Sequence, residues 1–341
     1  MTRHQPPGLG GSRQHANLSK GGTSILTREI DWNKSAFMLL APDALARHLA
    51  IPILDRLAED GFVPIQYRVF WRPLESLDEY YGKKIRIAWD VYLFRMVDLF
   101  FRYGPTVAFV VKDVGSSAED SHIRLRRLKG ASDPLKTTPG SIRHDFGAIN
   151  LMLSLIHSAD SPDDSAYEHG VYFSDEEPRV LDDGSAELYD VCRLMANGAP
   201  QETRSFEDTL GGLRARIAAV LWKEFLPEGR EMIARWTVAD GKNPFSGLGA
   251  GRKLAEQLKD GMRHPLAAML ASEFQPDSPL VQVEVANHML RAYGTSLDPW
   301  EELVLTTSMY FRPRRKGLSP EQVPLERFDP REVLKDENAP A

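Results

Sequence analysis

The chain has 341 residues, 42% of them hydrophobic, which is ample for two domains of ordinary size with a core each. A formal net charge of -6 argues against broad binding to nucleic-acid backbone, although 122–129 and 312–316 are locally basic. The lone cysteine, Cys192, excludes an internal disulfide and a paired-cysteine metal site and fits a reducing, cytoplasmic compartment, and no apolar run reaches the ~18 to 20 residues that cross a membrane.

Residues 1–30 are rich in Gly, Ser, Gln and His and poor in large apolar side chains, which predicts a flexible tail that cannot offset its ordering entropy by burial. An apolar run at 36–40 reads as a strand, 52–60 as a helix and 63–71 as a second strand. Pro52 suits a first helical turn, where its missing amide costs nothing, and Gly61 suits the position just past a helix end. A longer helical region is predicted over 77–103, then a strand at 106–112, a helix at 119–128 and an apolar strand at 151–156 that delivers His157 at its end. This order predicts an α+β domain over 31–178 built as a ferredoxin-like antiparallel sheet sandwich. Beyond it the pattern turns helical: Leu210, Leu213, Ile217, Leu221 and Phe225 recur at helical spacing behind Ser205 and Asp208, a capping box. Leu254, Leu258 and Met262 repeat that spacing, and 283–293 and 300–311 read as two more helices. The expected division is therefore an all-helical domain over 179–312 and a loose tail over 313–341. The stretch GLGAGRK at 247–253 lacks the spacing of a phosphate-cradling loop and follows no strand, so it reads as an interhelix linker.

Chemistry concentrates between Arg126 and Glu168. Two arginines, a Pro139-Gly140 turn, a histidine and a glutamate stand in the order Arg126, Ser132, Arg143, Asp145-Phe146, His157, Asp160, Glu168, with Pro42-Asp43 upstream. A phosphohistidine enzyme needs an imidazole nitrogen free to attack a terminal phosphate, cations to offset charge on the phosphoryl oxygens, and a carboxylate to fix the ring. This spacing closely resembles the nucleoside diphosphate kinase family. The resemblance implies that His157 is the nucleophile, that Glu168 orients its ring, and that Arg126, Arg143 and the hydroxyl of Ser132 grip phosphate. A guanidinium suits that task because its planar fork matches phosphate and stays charged. It further implies a base-stacking and ribose subsite formed by Tyr81, Trp89 and Ser154, Mg2+ carried by the nucleotide with no protein-bound metal, nucleoside triphosphates and diphosphates as ligands, and a homo-oligomer. Neither nucleic acid nor membrane is expected as a partner.

Several positions depart from the family pattern. Its phosphate-contacting lysine before Pro-Asp is Ala41 here, its asparagine before the histidine is Ser154, and its Gly-Ser after the histidine is Ser158-Ala159. One fewer cation beside a phosphoryl group in flight costs about a hundredfold or more in rate unless another substitutes, and Lys83, Lys84, Arg86 and Lys129 are the nearest in sequence. Two readings stay open: a phosphotransferase acting through His157, and a nucleotide-binding pseudokinase whose helices contact a partner.

Overall fold

The computed structural model describes residues 30–71, 100–174, 177–181, 185–196, 205–238, 243–247, 249–271 and 283–310. The strands are β1 (Ser35–Leu40), β2 (Phe62–Phe70), β3 (Thr106–Asp113), β4 (Ile156–Ser158) and β5 (Arg179–Val180). They form one antiparallel sheet in the order β4-β1-β3-β2-β5. Its first four strands have the order of a ferredoxin-like sandwich.

All six residues of β1 are buried, which a strand requires when both faces of its sheet are covered. Ala36, Met38 and Leu40 share a core with Ile53, Leu54 and Leu57 of α2 (Ala50–Glu59), which follows the short α1 (Pro42–Ala46). Leu188 and Cys192 of α6 (Ala186–Met195) join that same layer. The alternate residues Phe37 and Leu39 face the other way, onto Tyr172 at the end of α5 (Pro162–Tyr172). The period of two along the strand thus divides one apolar run between two layers.

The second layer extends into the helical region. Leu210, Leu213 and Ile217 of α7 (Phe206–Val220) and Leu303 and Val304 of α12 (Pro299–Tyr310) belong to the same buried cluster as Phe37 and Leu39. Trp300 Nε1 donates to Thr209 Oγ1 at 3.0 Å across this packing, and Tyr103 and Thr306 bring their hydroxyls to 3.4 Å. Between these helices run α8 (Pro227–Thr237), α9 (Ala250–Glu256), α10 (Pro265–Ala271) and α11 (Val283–Ala292).

Apart from 151–156, the expected strands and the helices at 52–60, 119–128, 283–293 and 300–311 agree with this layout to within two or three residues, whereas the helical spacing through Leu221 and Phe225 and through Leu258 and Met262 overruns α7 and α9, which end at Val220 and Glu256. The Ser205 cap is present, with Asp208 N donating to Ser205 Oγ at 3.2 Å. Most of the helix expected over 77–103 and both tails lie outside the described residues. The strand reading is corrected too: 151–155 is not strand. Asn150 Oδ1 accepts from the amides of Met152 and Leu153, a local turn that competes with sheet pairing. Leu155 then takes a left-handed φ of 70°, and pairing with β1 begins only at Ile156. His157 therefore sits in the middle of a three-residue strand, opposite Leu39.

The GLGAGRK stretch is a linker only at its start: Ala250 to Lys253 already belong to α9, which packs closely. A Cβ on Gly251 would lie only 2.3 Å from the carbonyl oxygen of Leu270 in α10. Gly251→Ala is expected to destabilise the protein by about 1–3 kcal/mol through this clash. Gly212→Ala in α7, where a Cβ meets nothing within 4 Å, is expected to be neutral or to stabilise by up to ~1 kcal/mol. Urea unfolding of the two variants side by side checks the contrast.

Candidate active site

The helix α3 (Ser121–Lys129) starts at Asp120, whose side chain accepts from Ile123 N at 3.0 Å, and its last turn carries Arg126, Arg127 and Lys129. Arg127 is paired with Glu119 through two contacts of 2.7 and 2.8 Å. Arg126 is exposed and makes no hydrogen bond or ion pair among the described residues, so its guanidinium is available to an anion. Gly130 ends the helix at φ 86°, and a Cβ there would fall 2.5 Å from Ser141 Oγ, so the turn admits glycine alone.

Arg143 lies on α4 (Ile142–Asp145) and is buried, with 3% exposure. Its Nε donates to Ser154 O at 3.2 Å, Nη1 to Gly130 O at 3.0 Å and Ser132 Oγ at 3.2 Å, and Nη2 to Ile156 O at 2.6 Å. Four of its five N–H groups are therefore directed at the protein, which leaves one for a ligand. Burial pushes its pKa down to about 10, with the negative charges of Asp43 and Asp160 acting in the opposite sense. The side chain is the tie that draws together the loop after α3, Ser132 and the backbone on either side of Leu155.

The same backbone is held from the other side. Asp43, at the start of α1, is fully buried and accepts from Leu155 N through Oδ2 at 3.1 Å, while Ala41 N donates to Leu155 O at 2.9 Å. The strained φ of Leu155 is thus pinned at both its amide and its carbonyl immediately before His157. Arg47 Nη1 and Nη2 extend the brace to Gly147 O and Phe146 O. Burial raises the Asp43 pKa from 3.8 to about 6, opposed by the charge of Arg47 and by backbone hydrogen bonds.

A raised carboxyl pKa means that the folded state holds the proton more tightly than the unfolded chain does. Its contribution to stability is then largest at low pH, falls as pH rises from about 4 to about 6, and stays at its lower value above that. Asp43→Asn keeps an acceptor for Leu155 N and removes the buried charge. The variant is expected to gain on the order of 2–3 kcal/mol relative to the parent between pH 4 and pH 8. Urea unfolding of both proteins at those two pH values measures the difference.

His157 projects from β4 toward α5. Its Nε2 is 2.7 Å from Glu168 Oε2, and the two side chains differ sharply in exposure, 40% for the histidine and 1% for the glutamate. Glu168 occupies the buried face of α5, a helix that begins at the Ser161 cap with Asp164 N donating to Ser161 Oγ at 3.1 Å. A carboxylate accepts, so the ring proton belongs on Nε2 and the lone pair on Nδ1. Nδ1 has no hydrogen-bond partner among the described residues, and the side chain as a whole is half-exposed. This is the arrangement of an imidazole oriented by a carboxylate at one nitrogen, with the other nitrogen left for a ligand.

Of the residues singled out from the sequence, the structure joins His157 to Glu168, and Arg143 to Ser132 and the carbonyl of Ser154. Arg126 stands apart from both hydrogen-bonded groups, on the helix that packs against β4. Tyr81 and Trp89 lie outside the described residues. The bracing carboxylate Asp43 was visible only as half of a Pro-Asp pair, and nothing local announced that Leu155 would need it.

A half-exposed histidine oriented by a buried glutamate, on a ferredoxin-like sheet flanked by helices that carry arginines, defines a candidate phosphotransfer site. Residues 34–178 match the family model described as nucleoside diphosphate kinase. The chain is 31% identical over 141 residues to the nucleoside diphosphate kinase of Microcystis aeruginosa, covering 41% of this chain and 88% of that protein. It is 30% identical over 141 residues to that of Archaeoglobus fulgidus, covering 41% and 87% respectively. A solved nucleoside diphosphate kinase from Encephalitozoon cuniculi aligns over 42% of this chain and 90% of that one, at 25% identity and a TM-score of 0.36. The chain belongs to the nucleoside diphosphate kinase family. The helices from α6 onward lie beyond the matched residues.

Proposed function

We propose that this protein moves the γ-phosphate of a nucleoside triphosphate through a phosphohistidine at His157 to a nucleoside diphosphate or a related acceptor. The observation that carries this reading is the 2.7 Å contact between His157 Nε2 and the buried Glu168, which leaves Nδ1 for a ligand. In the forward half-reaction Nδ1 forms a bond to the γ-phosphorus as the bond to the bridging oxygen breaks, and the diphosphate departs with that electron pair. Glu168 stabilises the positive ring that results. In the return half-reaction a terminal oxygen of the acceptor takes the phosphoryl group from Nδ1. Arg126, unpaired among the described residues, and the remaining N–H of Arg143 offset the charge on the equatorial oxygens. Mg2+ enters with the nucleotide as part of the substrate.

A second reading has an observation of its own. Ala41 brings no charge to the site and Arg143 directs four N–H groups at the protein, which favours a module that binds nucleotide with little turnover. Incubation with γ-labelled ATP and Mg2+ separates the two. Acid-labile, base-stable label that His157→Ala abolishes supports phosphotransfer, and a chase with a panel of diphosphates names the acceptor. No label, with nucleotide binding established by calorimetry, leaves the binding module.

A further inference from the structure

Lys129 is the most deeply buried cation near the nucleophile that the phosphotransfer scheme leaves without a task. It closes α3 three residues after Arg126, a spacing that places two side chains on the same face of a helix. It is 5% exposed, beside the buried Leu125 and Leu128. Its ammonium donates to the carbonyl of Ser158, the residue after His157, at 3.0 Å, and lies 3.5 Å from Asp160. An ammonium has three N–H groups, so these two partners leave one without an acceptor among the described residues.

An apolar side chain of the same length at this position would fill the space without burying a charge, and such replacements are commonly neutral or stabilising. The strain of keeping the charge is visible in its acidity. Burial, and next the neighbouring positive charge of Arg143, push the Lys129 pKa down to about 8, while Asp160 and Glu168 act against that shift. A cation kept at such a disadvantage, hydrogen-bonded to the residue after the nucleophile and one helical turn from Arg126, which is unpartnered among the described residues, points to use in the reaction.

We propose that Lys129 is a positioning and charge-supplying residue of the phosphotransfer site, fixing the β4 backbone beside His157 and offsetting negative charge on the phosphoryl group in transit. This inference rests on the phosphotransferase reading of His157. In a water-excluded setting one fixed cation acts strongly on developing charge. The groups facing the ammonium are Arg143 from α4, Asp160 after β4 and Glu168 from α5, one positive and two negative; protonated Lys129 balances them, and its loss of a proton leaves a net negative charge that opposes the incoming phosphate. Transfer to His157 is therefore expected to slow as pH rises through about 8.

The test is rapid-quench labelling of His157 by γ-labelled ATP with Mg2+ between about pH 6 and 10, in the full chain and in Lys129→Met and Lys129→Arg, with thermal unfolding of each. Lys129→Met is expected to label about a hundredfold more slowly, to lose the decline above pH 8, and to melt no lower than the parent. Lys129→Arg, permanently charged, is expected to retain a larger share of the rate and to lose the same decline. Labelling of Lys129→Met at the parental rate with the parental pH profile overturns the proposal while leaving His157 as nucleophile. If the methionine variant fails to fold, an unchanged alkaline decline in Lys129→Arg overturns it. A parent protein that never labels sinks the phosphotransferase reading and this inference with it.

Discussion

Glu168→Ala is expected to slow phosphorylation of His157 by about a hundredfold or more while leaving nucleotide affinity nearly unchanged. The carboxylate does not face the ligand: it is 1% exposed, and its contact is with Nε2. Removing it frees the imidazole to rotate and to place its proton on Nδ1, where the lone pair is needed. Glu168→Gln is the informative companion, because an amide oxygen accepts from Nε2–H whereas an amide nitrogen enforces the opposite tautomer. An intermediate rate is expected for it. Single-turnover labelling separates the chemical step from binding, and calorimetry with a diphosphate reports affinity. A Glu168→Ala protein that labels as fast as the parent would remove the orienting role.

Arg126 and Arg143 are expected to behave as opposites. Arg143→Leu leaves the carbonyls of Gly130, Ser154 and Ile156 without the donor that joins them, and breaking such a buried charged network typically costs about 3–5 kcal/mol. The variant should unfold at markedly lower urea and lose activity because β4 is no longer held. Arg126→Leu removes an exposed guanidinium with no partner among the described residues, so its stability should stay within about 0.5 kcal/mol of the parent. Its labelling rate should nevertheless fall about a hundredfold, since a charged donor to the transferring group is gone. Equal loss of stability in both variants would contradict the division between a brace and a free cation.

The motif from Arg126 to Glu168 was legible because helix and strand periods are local and because the residue types that serve phosphotransfer are few. The ten residues between His157 and Glu168 already contained the Ser161 cap and the turn of α5 that bring the carboxylate to the ring. Arg143 was harder to read. Sequence shows a guanidinium, yet its acceptors are main-chain carbonyls, and main-chain carbonyls carry no signature in a residue string. The same limit explains 151–155, where an apolar run reads as strand until Asn150 captures two amides and Asp43, more than a hundred residues upstream, captures a third.

The amino-acid order by itself determined the α+β arrangement, the helical region after it, the pairing of a histidine with a glutamate at a fixed spacing, and Gly61 just past the end of α2, where φ is positive. Tertiary structure alone decided which cation faces outward and which is sealed among carbonyls. It also decided that α7 and α12, beyond the family match, share one buried cluster with Phe37 and Leu39, whereas α6 joins the cluster on the opposite face of β1. The physical reason is the range of the forces concerned. Periodicity and capping act within a few residues, whereas burial and the lone pairs that satisfy a buried charge come from wherever the chain happens to return.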